Sequence, residues 1–255
     1  WGSNNNGQIG DGTTTDRYIP TDITNQFNLE NDEKVVNLSL GTVHSSAITS
    51  NKRVFTWGLN SVGQLGDGSK NDRYEPTEIT HQFNLKIGEK ITNLSLGYFE
   101  SSAITSKGRI FTWGSSQLVP IEMNIFSIKI KRIYLPISES TLKLCSGSLY
   151  SSLVTTEGRV FSWGLNNYGQ IGDGTTTDRY VPTEITHLFN LEGSEKVVSI
   201  YLGNSFSSAI TSNGRVFTWG SNNNGQIGDG TTTDRYVPTE ITHQFNLESD
   251  EKVIS

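Results

Sequence analysis

The chain has 255 residues, enough for one large core or two ordinary ones, and a formal charge of −6 from 20 basic and 26 acidic side chains. That acidic balance lacks the basic footprint of a nucleic-acid binder, so no nucleic acid is expected as a partner. The single cysteine, Cys145, excludes an intramolecular disulfide and leaves the compartment open, and no apolar run approaches the roughly 20 residues of a membrane-spanning helix.

In chain order, the first feature is Trp1, one of five indoles with Trp57, Trp113, Trp163 and Trp219, spaced 56, 56, 50 and 56 residues apart. Trp1 heads a loop, W-G-x-N-x-x-G-Q-x-G-D-G, that returns at Trp57, Trp163 and Trp219. Each copy runs through Asp-Arg-Tyr to a proline 19 residues after its tryptophan: Pro20, Pro76, Pro182 or Pro238. Gly7, Gly10 and Gly12 let this loop turn sharply, and Asp11 and Asp16 are placed to accept hydrogen bonds from its amides. Four short segments rich in β-branched and aromatic residues follow, from Lys34 (KVVNLSL), Ser45 (SSAIT), Arg53 (RVFTW) and Thr77 (TEIT). They read as strands A, B, C and D. The B–C links Lys107-Gly108, Glu157-Gly158 and Asn213-Gly214 are hairpin turns in which glycine supplies a positive φ.

Four antiparallel strands per unit, without helical periodicity, predict an all-β β-propeller of four-stranded antiparallel blades. The units run about 1–56, 57–112, 113–162, 163–218 and 219–255, the third degenerate and the last partial. Within them, Trp57, Trp113, Trp163 and Trp219 on strand C, and Gly63, Gly66, Gly169 and Gly172 in the loop, are structural repeat positions. Counting strands gives about four complete blades plus two partial ends, a lone D at the start and a lone A at Glu251 to Ser255. The expectation is a single incomplete propeller over 1–255 whose gene supplies further blades. A chain truly this short would leave edge strands open to association.

The third unit departs from the pattern. Trp113 and Pro120 are 7 residues apart instead of 19, so 12 residues of the loop are lost, while Pro120 to Ser151 gains 6 over Pro76 to Ser101. The gained stretch, Ser127 to Ser140, holds Lys129, Lys131 and Arg132, the one basic cluster of the sequence. It reads either as a partner-docking insertion or as a drifted connection whose alternating Ile and Lys extend a strand; the second reading is favoured.

Catalysis finds little support. Asp11 and Asp16 could do acid–base work, but they recur as Asp67/Asp72, Asp173/Asp178 and Asp229/Asp234, whereas an active site is one asymmetric constellation. Eight of nine arginines likewise occupy two repeat positions, which speaks against a three-arginine sialidase-type site. His81, His187 and His243 share one repeat position on different blades, out of reach of a single metal ion. No Gly-Lys-Ser/Thr follows the glycines, so no phosphate loop is formed. No catalytic residue, metal or cofactor is assigned, and Cys145 reads as a small core residue.

What varies between units is the A–B loop: Thr42-Val43-His44, Tyr98-Phe99-Glu100, Ser148-Leu149-Tyr150 and Asn204-Ser205-Phe206. Aromatic residues on a constant frame are the usual anchors of interfaces. His44, Phe99, Glu100, Tyr150 and Phe206, with Lys129, Lys131 and Arg132, are therefore the candidate partner-binding residues; the other reading has the loop side chains plugging a central channel. The D–A loops, with Glu30, Asp32, Glu33, Glu195, Glu248, Asp250 and Glu251, read as a solvated acidic rim.

The two half-motifs, W-G-x-N-x-x-G-Q-x-G and Ser-Ser-Ala-Ile-Thr followed by Gly-Arg-Val-Phe-Thr-Trp, recur in fixed order over essentially the whole chain. In this the sequence resembles the regulator of chromosome condensation repeat family, in the form found in bacterial or lower-eukaryotic multi-repeat members. The resemblance implies a seven-bladed propeller and a protein partner. Its members' activities range from nucleotide exchange on a small GTPase through ultraviolet-B sensing to docking in ubiquitin ligases, so kinship alone selects none of them. The function expected is a non-catalytic protein-interaction scaffold that binds through one propeller face. The alternative is a guanine-nucleotide exchange factor for a small GTPase. All five indoles hold the strand-C position, which speaks against light sensing.

Overall fold

The computed structural model describes residues 1–122, 141–248 and 251–254. The chain divides into two compact units, Trp1–Lys129 and Ile130–Ser255. Each carries two four-stranded antiparallel sheets whose strands are paired in sequence order, the blades of a β-propeller.

In the first unit one sheet comprises β1 (Val35–Leu40), β2 (His44–Thr49), β3 (Val54–Gly58) and β4 (Arg73–Glu78). The other comprises β5 (Ile91–Leu96), β6 (Glu100–Thr105), β7 (Ile110–Gly114) and β8 (Gln117–Glu122). The second unit has β9 (Thr141–Ser146), β10 (Tyr150–Thr155), β11 (Val160–Gly164) and β12 (Arg179–Glu184). Its other sheet has β13 (Val197–Leu202), β14 (Phe206–Thr211), β15 (Val216–Gly220) and β16 (Arg235–Glu240). Strand D therefore starts four residues earlier than the sequence suggested. The segment read as its end forms a 3-10 turn, Thr80–Phe83, whose Asn84 cap is left-handed. Proline fits here because D is the edge strand of its sheet and leaves one side of its backbone unpaired.

The shortened third repeat keeps its strand D. β7 passes to β8 through two residues, Ser115 and Ser116, at φ of 47° and 86°, the pair of positive angles that a tight two-residue hairpin needs.

Within each unit the blades join in the same way. The core of the first unit combines Ile48, Val54, Ile79 and Phe83 of one blade with Ile91, Leu94, Ala103, Phe111 and Trp113 of the next. Val154, Val160, Ile185 and Phe189 meet Val197, Ile200, Ala209, Phe217 and Trp219 in the second unit. In each unit the phenylalanine of the 3-10 turn between the two blades stands edge-on to the strand-C aromatics of the following blade. Phe83 lies 5.4 Å from Phe111 and 5.5 Å from Trp113; Phe189 lies 5.2 Å from Phe217 and 5.6 Å from Trp219.

A polar contact fixes the register of the junction. The backbone carbonyl of the loop glutamine accepts two hydrogen bonds from the following blade, one from the tryptophan indole and one from a strand-B serine. Gln64 O takes Trp113 Nε1 at 2.9 Å and Ser101 Oγ at 2.8 Å. Gln170 O takes Trp219 Nε1 and Ser207 Oγ, both at 2.9 Å. Gln8 O takes Trp57 Nε1 at 3.0 Å and Ser45 Oγ at 2.7 Å. The nearby glycine lies flat on the indole: a Cβ on Gly172 would sit 2.6 Å from Trp219 Nε1. The loop glycines thus do more than turn the chain.

Gly172 and Gly174 share a φ of +84°, yet a Cβ on Gly174 would meet nothing nearer than Val237 Cγ1 at 3.7 Å. Both alanine substitutions incur the left-handed backbone penalty of about 1–2 kcal/mol. Gly172→Ala is expected to lose a further ~1–3 kcal/mol from overpacking, which Gly174→Ala escapes. Equal losses for the two variants in chemical denaturation would contradict this assignment.

Candidate protein interface

The C–D loop is held by its own side chains. Asn60, buried, donates through Nδ2 to Asp67 Oδ1 at 3.0 Å and to the carbonyls of Ser69 and Asn71, and its Oδ1 accepts the Leu65 amide at 3.0 Å. Asp72 accepts the Asn60 amide at 2.7 Å, and Arg73 bonds Asp67 at 2.7 Å. Asn4, Asn166 and Asn222 repeat the arrangement. The paired aspartates are thus committed to the loop. Burial raises the Asp67 carboxyl, but the Arg73 guanidinium and the Ser69 hydroxyl and amide outweigh it and hold the group below its ordinary value.

The D–A loops carry a second device, one that corrects the reading of a solvated rim. Glu33, Glu89 and Glu195 are buried, and each binds a strand-B threonine and a strand-C arginine. Glu89 accepts from Thr105 Oγ1 at 2.6 Å and from Arg109 Nη1 at 2.7 Å, while Arg109 Nη2 reaches Glu122 at 2.7 Å. The guanidinium also lies 4.9 Å from the Phe111 ring. Burial raises the Glu89 carboxyl, yet the Thr105 hydroxyl, the Lys86 amide and Arg109 together bring it down to about 2. Glu30 and Asp32 are exposed, as a rim requires, and Asp250 lies outside the described residues.

The A–B loops divide into two kinds. His44 is completely buried, and its Nε2 lies 2.8 Å from Ser101 Oγ on the following blade. The Ser101 proton goes to Gln64 O, so His44 must carry its hydrogen on Nε2 and donate. That leaves Nδ1 as a buried acceptor without a partner among the described residues. Tyr150 holds the corresponding place in the second unit, where its buried hydroxyl donates to Phe206 O at 2.5 Å. Both residues were expected on a partner-binding face, and the structure spends both on joining blades. Neither can anchor a partner, because no part of the side chain reaches the surface to any useful extent.

The second kind is accessible. Tyr98 and Phe99 are half-buried, with ring centroids 4.2 Å apart in an edge-on pair. Glu100 beside them is also half-buried; desolvation raises its carboxyl, partly offset by a hydrogen bond from Ser115 Oγ at 3.2 Å. Phe206 is half-buried and lies over Gly203, where a Cβ would meet its ring at 2.3 Å. Lys129, Lys131 and Arg132 lie outside the described residues.

All of the structural repeat residues but Trp163 fall at described blade junctions. Trp57, Trp113, Trp163 and Trp219 are buried, Gly66 and Gly172 pack on indoles, Gly63 faces Leu118, and Gly169 faces Tyr236. Cys145 is partly buried against the core of the second unit, its thiol pushed up to about 11 by desolvation. The glutamine carbonyls and the Glu–Thr–Arg latch escaped sequence reading. The recurrence of Glu33, Glu89 and Glu195 ahead of strand A was the available signal.

Comparison with known proteins places this architecture. A sequence model of the RCC1-like domain matches residues 1–254. The ultraviolet-B receptor UVR8 of Arabidopsis thaliana is 28% identical over 246 residues, which cover 94% of this chain and 52% of UVR8. The E3 ubiquitin-protein ligase HERC2 of Homo sapiens is 27% identical over 231 residues, 91% of this chain and 4% of HERC2. The chain thus spans about half the length of UVR8 and a small fraction of HERC2. Among solved structures, human WBSCR16 is similar with a TM-score of 0.76 and 25% identity, over 94% of this chain and 61% of that one. Prp20p from Saccharomyces cerevisiae, a structure described with its binding to Gsp1p and histones, shares the fold at a TM-score of 0.54 and 19% identity, over 83% of this chain and 64% of its own.

Burial lowers the His44 pKa from 6.5 to about 3, so the folded state resists protonation that the unfolded chain accepts. Stability linked to neutral His44 is complete above about pH 6.5 and is lost as the pH falls from there toward 3. Replacing it by the residue found at the equivalent position, His44→Tyr, is expected to flatten the acid limb of stability against pH. An acid limb as steep as that of the wild type would contradict the assignment.

Proposed function

Because the chain belongs to the RCC1-like domain family, we propose that it is a non-catalytic scaffold that binds a protein partner through the A–B loop side of its blades. The observation that carries this reading is the Tyr98–Phe99 pair. Two aromatic rings stand half-exposed on a loop whose ends are fixed by β5 and β6, and Glu100 follows them in the chain. Rigid aromatics of this kind bury much area at little cost in side-chain entropy, which is why they dominate interface energetics. Phe206 supplies a second such position in the other unit.

The polar residues elsewhere support the reading. The recurring aspartates and arginines are tied into loops and latches, so they contribute rigidity, and a rigid frame lowers the entropic cost of binding. Names in the family range from a light receptor to a ubiquitin ligase, and the activities of those whole proteins do not pass to this chain by kinship.

The test is covalent photo-crosslinking from the A–B loop to identify a partner, followed by affinity measurement with Tyr98→Ala and Phe99→Ala. Losses of at least tenfold, with unfolding transitions close to that of the wild type, are expected. Unchanged affinity in both variants would overturn the proposal. Accelerated release of labelled GDP from a small GTPase would replace the scaffold reading with the exchange-factor alternative.

A further inference from the structure

The D–A loop ahead of β5 is built like its counterparts but carries different side chains. Lys86 to Glu89 form a tight turn in which Glu89 N donates to Lys86 O at 2.9 Å, while the buried Glu89 carboxylate accepts the Lys86 amide, also at 2.9 Å. Gly88, at a φ of +72°, supplies the left-handed residue that such a turn requires at its third position. Ile87 stands at the apex and is fully exposed. Its backbone is also held from the B–C turn of the same blade, where Lys107 Nζ donates to Ile87 O at 3.1 Å. Lys90 joins the two loops, its carbonyl accepting the Ser106 amide at 2.8 Å. All three lysines are exposed.

A single exposed aliphatic side chain is ordinary on a protein surface. Here three departures from the repeat coincide. Ile87 holds the position of Asn31, Gly193 and Ser249, Lys86 that of Glu30, Glu192 and Glu248, and Lys107 that of Asn51, Glu157 and Asn213. Neighbouring carboxylates leave the lysines uncompensated. Arg109 takes both Glu89 and Glu122 at 2.7 Å, although Glu122 also feels the charge of Lys86. Lys86, Lys90 and Lys107 form no ion pair among the described residues, whereas Lys196, the counterpart of Lys90, pairs with Glu157 at 2.8 Å.

We propose that Ile87, together with Lys86, Lys90 and Lys107, forms a docking site for an acidic protein segment that carries an aliphatic residue among its carboxylates. Charge complementarity identifies the occupant, since three uncompensated ammonium groups call for carboxylates and the exposed isoleucine for an apolar contact. The turn is closed by its own backbone and by Lys107, so it presents Ile87 at little cost in ordering. The surrounding charge selects a narrow segment over an anionic membrane. At the same end of the strands, the preceding blade presents the exposed Glu30 and Asp32, which would repel an extended anionic surface. Ile87 lies at the opposite end of the strands from Tyr98 and Phe99, so either reading can fail alone.

The probe is an end-capped Glu-Glu-Leu-Leu-Glu-Glu peptide, titrated into the isotope-labelled chain while the Gly88 and Ser106 amide resonances are followed. A saturable shift is expected, with an affinity that falls as salt is raised. Affinity is expected to drop at least tenfold in Ile87→Asn and in the double variant Lys86→Glu, Lys107→Asn, whose new residues are those that other repeats hold at these positions. A peptide with serine in place of both leucines is expected to bind at least fivefold more weakly. Unmoved resonances at millimolar peptide, or undiminished affinity in either variant, would overturn the proposal. Equal binding of the serine peptide would also overturn it, by reducing the site to unspecific charge. Binding to phosphatidylserine vesicles that the leucine peptide does not displace would assign the patch to a membrane surface and overturn it equally.

Discussion

One carbonyl group organises the blade junction within each unit. A loop glutamine presents its backbone oxygen to an indole and a hydroxyl of the next blade, and that pair of bonds sets how far one sheet can slide past another. Each bond contributes about 1 kcal/mol net, but leaving a buried indole N–H unpaired costs about as much again, so the geometry is enforced from both sides. The glycine on the indole follows from this, because only a residue without Cβ lets the loop approach closely enough. The Asn–Asp–Arg network follows in turn, since a loop rich in glycine needs side-chain bonds to hold one shape. The edge-on aromatic contacts and the buried Glu–Thr–Arg latches then close the outer part of the blade.

A frame fixed in this way leaves few places for specificity. Positions that repeat are consumed by the junctions, so recognition falls to positions that differ between units. The structure narrows these further. His44 and Tyr150 vary in identity yet serve the same purpose, reaching across to the next blade near the starts of strands β2 and β10. Tyr98, Phe99 and Phe206 vary and remain accessible. Variation by itself therefore did not distinguish a surface anchor from an alternative solution to a packing problem.

Much of the fold was legible because the sequence repeats. The 56-residue spacing, strand-C tryptophans and B–C hairpin glycines located the sheets, and strands A to C fell within a residue or two of their observed positions. Strand D was misplaced because Ile79 and Thr80 look like strand residues locally, whereas Ile79 is drawn into the core by the 3-10 turn that follows. The buried glutamates were misread for a similar reason. A glutamate in a polar loop normally faces water, and only the arginine and threonine brought close by the blade's own strands make its burial tolerable. The junction carbonyls were invisible in principle, since a backbone oxygen has no signature in the side-chain sequence.

The loop carbonyl holds Trp57, Trp113 and Trp219, whereas the Trp163 indole has no acceptor among the described residues. Hydrogen exchange at the indole nitrogens tests this most directly. Slow exchange, governed by opening of the blade junction, is expected at Trp57, Trp113 and Trp219, and distinctly faster exchange at Trp163. Exchange at Trp163 as slow as at the other three would contradict it.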